Sequence, residues 1–195
     1  MEMKIKSILA AGIAGVGAVA AAITVAEKYF YHKDMRDRAS AILEEEIKKY
    51  DWGDYRVFIA RSAFDTGNGI DNIFESLVTN FNEDFFGFTR ITENAEKRVT
   101  FFAGAFSAEE VNEIMDIYGY EPSLWEQFVR DIVAHEWRHT RQFDYIISKV
   151  GIDNIGQWFD ENMNCFDYMD APTEQDAIRY QKTREDVPFE EVFSI

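Results

Sequence analysis

The sequence predicts an α+β architecture: a small, mostly antiparallel sheet and several helices, preceded by an N-terminal hydrophobic helix. Three observations predict it. Residues 8–26 carry no charge; short β-prone runs are confined to 55–102; beyond residue 107 apolar side chains recur at helical spacing. The resulting divisions are 1–26, an N-terminal transmembrane anchor or signal segment; 27–50, a juxtamembrane helix; and 51–195, the folded domain.

Composition narrows the function. The 195 residues are 47% hydrophobic, enough for a real core, and 36 acidic residues oppose 20 basic ones, for a net charge of −16. Such a surface argues against a nucleic-acid partner, because phosphate binding needs a basic face, and against anionic lipid binding by the folded domain. Cys165 is the single cysteine, so the chain makes no internal disulfide and no cysteine-rich zinc ribbon. Any bound metal must be held by histidine and carboxylate.

The run from Ile8 to Ala26 is 19 residues long, about 28 Å as a helix, close to the hydrocarbon thickness of a bilayer. It reads as a single-pass anchor. The alternatives are a signal peptide, with Lys4 and Lys6 as its basic start and Ala18-Val19-Ala20 as cleavage site and a secreted product, or a buried helix. Lys28, Lys33, Arg36 and Arg38 outnumber the bases before the run, which leans toward a cytoplasmic domain and leaves sidedness open.

From Glu27 to about Lys49 helical spacing puts Ala39, Ile42, Leu43 and Ile47 on one face, and Trp52-Gly53-Asp54 ends it. Tyr55–Ala60 reads as a buried strand, Asp65–Gly69 as a turn, and Ile70–Phe81 as a helix. Phe85–Thr92 and Arg98–Phe102 form a hairpin across a polar stretch, with Arg98–Phe102 either an edge or an interior strand. Ser107-Ala108-Glu109-Glu110 is a capping box opening a helix that ends near Gly119. Ser123 and Glu126 repeat the device for a helix that runs without Gly or Pro to Gly151. Helical spacing returns around Trp158–Met169, and Pro172 suits the first turn of a last helix reaching about Arg184.

Inside the long helix lies His135-Glu136-Trp137-Arg138-His139, which uses two of the chain's three histidines. Residues four apart share a helix face, so His135 and His139 can grip one Zn²⁺ while Glu136 stands beside it as a general base. Trp137 reads as packing and Arg138 as a surface ion pair. A catalytic zinc usually takes a third protein ligand. The metzincin pattern is excluded, since Gln142 and Tyr145 occupy the places of its glycine and third histidine. Asp153 lies just downstream, and Pro172-Thr173-Glu174-Gln175-Asp176-Ala177 places a glutamate on a later helix, 35 residues past His139.

With H-E-x-x-H on one helix and E-x-x-A on the next, residues 123–184 resemble the gluzincin class of zinc metallopeptidases. The resemblance implies a zincin-like catalytic domain, Zn²⁺ as cofactor, peptide or protein substrates, His135, His139 and Glu174 as ligands, and Ala177 as the small residue that lets the helices approach. Glu136 then takes the proton of a zinc-activated water. The chain departs from the class at Ile178, where many members carry an aspartate that orients a histidine ligand. That task falls to Asp176 or Asp131, unless Asp176 is itself the ligand. Tyr180 is a candidate oxyanion donor, with Tyr145 and Tyr168 as competitors. Two other functions stay open: a non-proteolytic binding or regulatory module on the zincin fold, and a zinc hydrolase acting on a non-peptide amide.

Overall fold

The computed structural model describes residues 33–60, 86–92, 95–107, 111–163, 166 and 168–193. The chain divides into two compact units, Met1–Met35 and Arg36–Ile195, and the description concerns the second. The hydrophobic run 8–26, the turn at 65–69 and the helix expected over 70–81 lie outside the described residues. Among the described residues, no helix is long and apolar enough to cross a membrane.

The α+β class holds: the described residues form six α-helices and one three-stranded sheet. Helix α1 (Lys33–Ile47) precedes strands β1 (Arg56–Ala60), β2 (Gly87–Ile91) and β3 (Lys97–Phe102). Helices α2 (Val111–Ile117), α3 (Trp125–Val150), α4 (Ile155–Asn162), α5 (Pro172–Thr183) and α6 (Phe189–Val192) follow. On α1 the anticipated face is the buried one, with Ala39, Ile42 and Leu43 in the core and Ile47 packed at its margin.

The sheet decides the place left open for Arg98–Phe102 and departs from the expected mostly antiparallel pairing. Its order is β1-β3-β2, so β3 is the interior strand, hydrogen-bonded on both sides. It is also mixed. β3 pairs antiparallel with β2, Gly87 opposite Phe101 and Ile91 opposite Lys97, and parallel with β1, Arg56 opposite Arg98. Some 36 residues separate the end of β1 from the start of β3, long enough for the crossover a parallel pair requires. β1 is half-buried along most of its length, as an edge strand should be. The hairpin closes as anticipated, Thr92 N–H donating to Glu96 O (2.9 Å) and Ala95 N–H to Thr92 O (2.8 Å).

Both candidate cap serines lie in 3₁₀ turns. Ser107 ends one such turn and donates its hydroxyl to Gly104 O (2.7 Å), and residues 108–110 of its capping box lie outside the described residues. Pro122–Leu124 forms another, which leads straight into α3; Ser123 lies within it, and Glu126 turns outward to an ion pair with Arg38. The helix ends are as the glycines suggest. Gly119 takes φ +77° after α2 while Tyr120 N–H donates back to Met115 O (2.8 Å), and Gly151 takes φ +84° after α3. Helix α4 begins before Trp158 and stops at Asn162, short of the expected Met169. Helix α5 opens on Pro172 as anticipated and ends where Arg184 turns left-handed.

Phe128, Val129, Ile132 and Val133 on one flank of α3 pack into a core with Val99 and Phe101 of β3, Phe86, Phe106 and Met115. Phe86 stands edge-on to Phe128 at 5.0 Å. Fully burying each such side chain contributes about 1.5–3 kcal/mol. This cluster fixes α3 against the sheet, while α5 packs along another flank of α3. The two histidines of α3 lie between these neighbours.

Candidate metal centre

His135 and His139 stand one turn apart on α3, buried, with rings 4.7 Å apart and nearly perpendicular. Ala177 of α5 is fully buried, and Glu174 sits one turn before it. The two Nε2 atoms are 3.0 Å apart; Glu174 Oε1 is 3.2 Å from His139 Nε2, and Oε2 is 3.3 Å from His135 Nε2. Three ligands of a tetrahedral ion bound at about 2.0–2.1 Å stand roughly 3.3–3.4 Å apart. The donors already approach that triangle. Glu174 Oε2 is moreover buried with no hydrogen-bond partner, a costly state that a cation would relieve. These three residues form a group with metal-ligand spacing.

The outer nitrogens of both rings are held by glutamines. His139 Nδ1 is 2.8 Å from Gln142 Oε1, and His135 Nδ1 is 3.1 Å from Gln181 Oε1. Gln142 Nε2 donates to Thr173 O (2.9 Å) and Asp176 Oδ2 (2.8 Å), which fixes its amide with the oxygen toward His139. Gln181 Nε2 donates to the Tyr120 hydroxyl (3.2 Å), which donates to Asp131 Oδ2 (2.8 Å). An amide oxygen can only accept, so each Nδ1 carries a proton, and whenever a ring is neutral its Nε2 presents the lone pair to the centre. Asp176 therefore orients His139 through one glutamine, and Asp131 orients His135 at two removes, through Tyr120 and Gln181.

Glu136 is buried beside this triangle. Its Oε2 accepts from the Thr89 hydroxyl at 2.8 Å. Strand β2 runs so close that a Cβ on Gly87 would stand 2.9 Å from Glu136 Cγ, which is why this strand position is a glycine. Burial pushes the Glu136 carboxyl up, against the lowering effect of His139, His135 and Thr89, toward the range of a useful base. Burial would depress His139, but the charges of Glu174 and Glu136 and the hydrogen bonds to Glu174 and Gln142 together outweigh it and raise the imidazole to about 9. Burial would likewise raise Glu174, yet His139 and His135 hold it well below the usual carboxylate range.

The other candidates lie elsewhere. Asp153 is exposed in the 3₁₀ turn Ile152–Asn154, outside the cluster. Asp176 is buried, but its oxygens serve Arg138, Gln142 and Arg179. Tyr180 packs at a tilt against Trp137 at 5.3 Å with Arg138 and Arg184 over its ring, and the charges acting on its hydroxyl are Arg184, Asp186 and Arg138. The Tyr145 hydroxyl is buried without a partner, its ring against Phe189 and Phe193, and the Tyr168 side chain lies outside the described residues. Trp137 packs as anticipated, against Tyr50 and Tyr180. Arg138 is a correction: only 1% exposed, it is no surface ion pair, because its partners Asp176 and Val187 close over it.

Compared with known proteins, the chain matches no family model, no curated protein and no solved structure.

Several residues of the centre carried no motif. Gln142 follows His139 by three residues and Gln181 follows Glu174 by seven, both helical same-face spacings that hint at a shared site. Tyr118 is the least expected. Half-buried, its ring rests 5.9 Å from Phe128, two turns before His135 on α3. Burial raises its hydroxyl to about 12, and the charges that add to the shift are Glu174 and Glu136. Nothing in the sequence around Tyr118 signals this placement.

Proposed function

We propose that the domain is a zinc metallopeptidase of zincin-like architecture, which the hydrophobic run 8–26 tethers to a membrane. The observation that carries the reading is the convergence of His135 Nε2, His139 Nε2 and the Glu174 carboxylate within 3.3 Å of one another, with Glu136 alongside. The donor set is two neutral imidazoles and one carboxylate, the combination that suits zinc and leaves a position open. A zinc ion held there supplies Lewis acidity, polarising a carbonyl and acidifying a water at neutral pH.

The chain's own residues supply the rest. Glu136, raised by burial and steadied by Thr89, takes the proton of the attacking water and hands it to the departing amine. The Tyr118 hydroxyl, acted on by the Glu174 and Glu136 charges, replaces Tyr180 as donor to the carbonyl oxygen that gains charge. A peptide lies along β2, the edge strand that touches Glu136, rather than along β3, whose two sides are already paired.

The deciding experiment is metal analysis of the domain from residue 36 onward, with a peptide-library cleavage assay run with and without chelator. The reading expects one zinc per chain and cleavage that chelator stops and zinc restores. A domain that holds zinc but cleaves nothing would be a binding module instead; one that takes no zinc ends the proposal.

A further inference from the structure

Arg138, inside the H-E-x-x-H string, is the largest fully buried side chain among the described residues, and its contacts lead in two directions. Inward, Nε donates to Asp176 Oδ2 (2.7 Å) and Nη2 to Asp176 Oδ1 (3.2 Å). Asp176 Oδ2 is also the acceptor for Gln142 Nε2, and Gln142 Oε1 holds His139. Three links thus join the guanidinium to a metal-binding ring. Outward, Arg138 meets the segment that follows α5. Nη2 donates to Val187 O (2.6 Å), Nη1 pairs with Asp186, and the Phe189 ring covers the guanidinium at 4.1 Å.

That segment is itself pinned. Phe189 rests on Tyr145 of α3 at 5.4 Å, and Phe193, 3% exposed, meets Trp158 of α4 edge-on at 5.9 Å. Residues 184–193 therefore form a strap over α3 and α5, fastened at both Arg138 and the aromatic cluster.

We propose that this strap latches the metal centre: through Arg138, Asp176 and Gln142 it holds His139 in its zinc-binding pose, and displacing it loosens the ion. The proposal rests on the zinc reading above. Its physical basis is that a buried guanidinium needs its charge compensated and its donors satisfied. With the strap gone, water reaches Arg138 and the guanidinium turns outward. Asp176 then loses its two-point partner and keeps only Arg179, Gln142 keeps Thr173 O but loses a firmly placed Asp176, and the His139 ring is held less tightly. Loss of such outer support typically costs about 10–100-fold in metal affinity. Arg138 acts here as a positioning residue, and so does the strap.

The test uses the full chain and measures zinc affinity by competition with a chromogenic chelator, which needs no substrate. The variants are Phe189→Ala and the double variant Asp186→Ala/Phe189→Ala. Single-turn strap contacts are lost while the core is untouched, and affinity should fall about tenfold or more. A merely structural role is separated by Gln142→Leu. If the strap acts through the relay, adding Asp186→Ala/Phe189→Ala to Gln142→Leu changes affinity less than twofold further; independent destabilisation would multiply the two losses. Arg138→Lys should not restore the parent affinity, since an ammonium cannot make the two-point contact with Asp176. Strap variants with parental affinity, or losses that multiply, overturn the latch while leaving the zinc site standing. A parent chain that takes no zinc overturns the site and the latch together.

Discussion

Gly87 of β2 and Glu136 of α3 approach so closely that a Cβ at 87 would stand 2.9 Å from Glu136 Cγ and 3.3 Å from its Cδ. The strand's backbone is thus one wall of the slot that holds Glu136, and Thr89, two residues on, closes it with a hydrogen bond to the carboxylate. Gly87→Ala should push Glu136 off its position without touching a metal ligand. The expected outcome is a fall in kcat of about 10–10²-fold, with zinc content unchanged, since a displacement near 1 Å costs that order in rate. Steady-state kinetics beside metal analysis checks it; parental kcat would mean the slot does not position the base.

Glu136→Gln removes the base but keeps the shape. Zinc should remain at one per chain while turnover drops by about 10²–10⁴-fold, the range for general acid–base groups. Native turnover in this variant would remove Glu136 from the mechanism.

Sequence and structure agree where the signal is local. The helical spacing around Trp125–Ile147, the glycine after it and the proline at 172 place α3 and α5 within a residue or two, and with them His135, Glu136, His139 and Glu174. Pairing decisions are not local. That β3 lies between β1 and β2 depends on contacts across some 40 residues, and alternation along β3 itself is the same for an edge or a centre. Ser123 shows how a good cap pattern fails when a tighter turn takes the same residues. Arg138 reads as a surface charge until Asp176, 38 positions away, and Val187, 49 away, close over it. The glutamine relays are hidden for the same reason.

Tyr118 and Tyr180 can be separated by removing one oxygen from each. Tyr118→Phe should lower kcat by about 10²-fold, the typical cost of one oxyanion donor, with little change in zinc affinity. Tyr180→Phe should leave kcat within about twofold, because that ring is packed against Trp137 and the two arginines. The reverse result would return the role to Tyr180.

The third ligand is tested by carboxylate variants read through zinc affinity alone. Glu174→Ala should weaken zinc by at least about 10²-fold, since only two donors remain where a stable site needs three. Asp153→Ala, on an exposed turn, should have no effect. Asp176→Asn should cost less than Glu174→Ala, because it disturbs only the relay to His139. Equal losses from Asp176→Asn and Glu174→Ala would make Asp176 a ligand.

The metal-free centre also makes a prediction about pH. His139, raised from 6.5 to about 9 chiefly by Glu174, is protonated at neutral pH, so a proton holds the place of the cation. Its folded value lies above its unfolded one. Its contribution to metal-free stability is therefore complete below about pH 6.5 and is lost as pH rises through about 9. Glu174 has the opposite sign: held low when folded, it contributes above about 4.5 and loses that contribution as pH falls toward its depressed value. Zinc needs the neutral imidazole, so binding between pH 6.5 and 9 must expel the His139 proton. Calorimetric titration at pH 7.5 in two buffers of different ionisation enthalpy should show close to one proton released per zinc. Affinity should rise about tenfold per pH unit up to about 9, while the melting temperature of the metal-free domain falls over the same interval. In Glu174→Gln the imidazole loses its counter-charge and the release at pH 7.5 should largely vanish, along with most of the affinity. Undiminished release in that variant would show that the proton comes from another group.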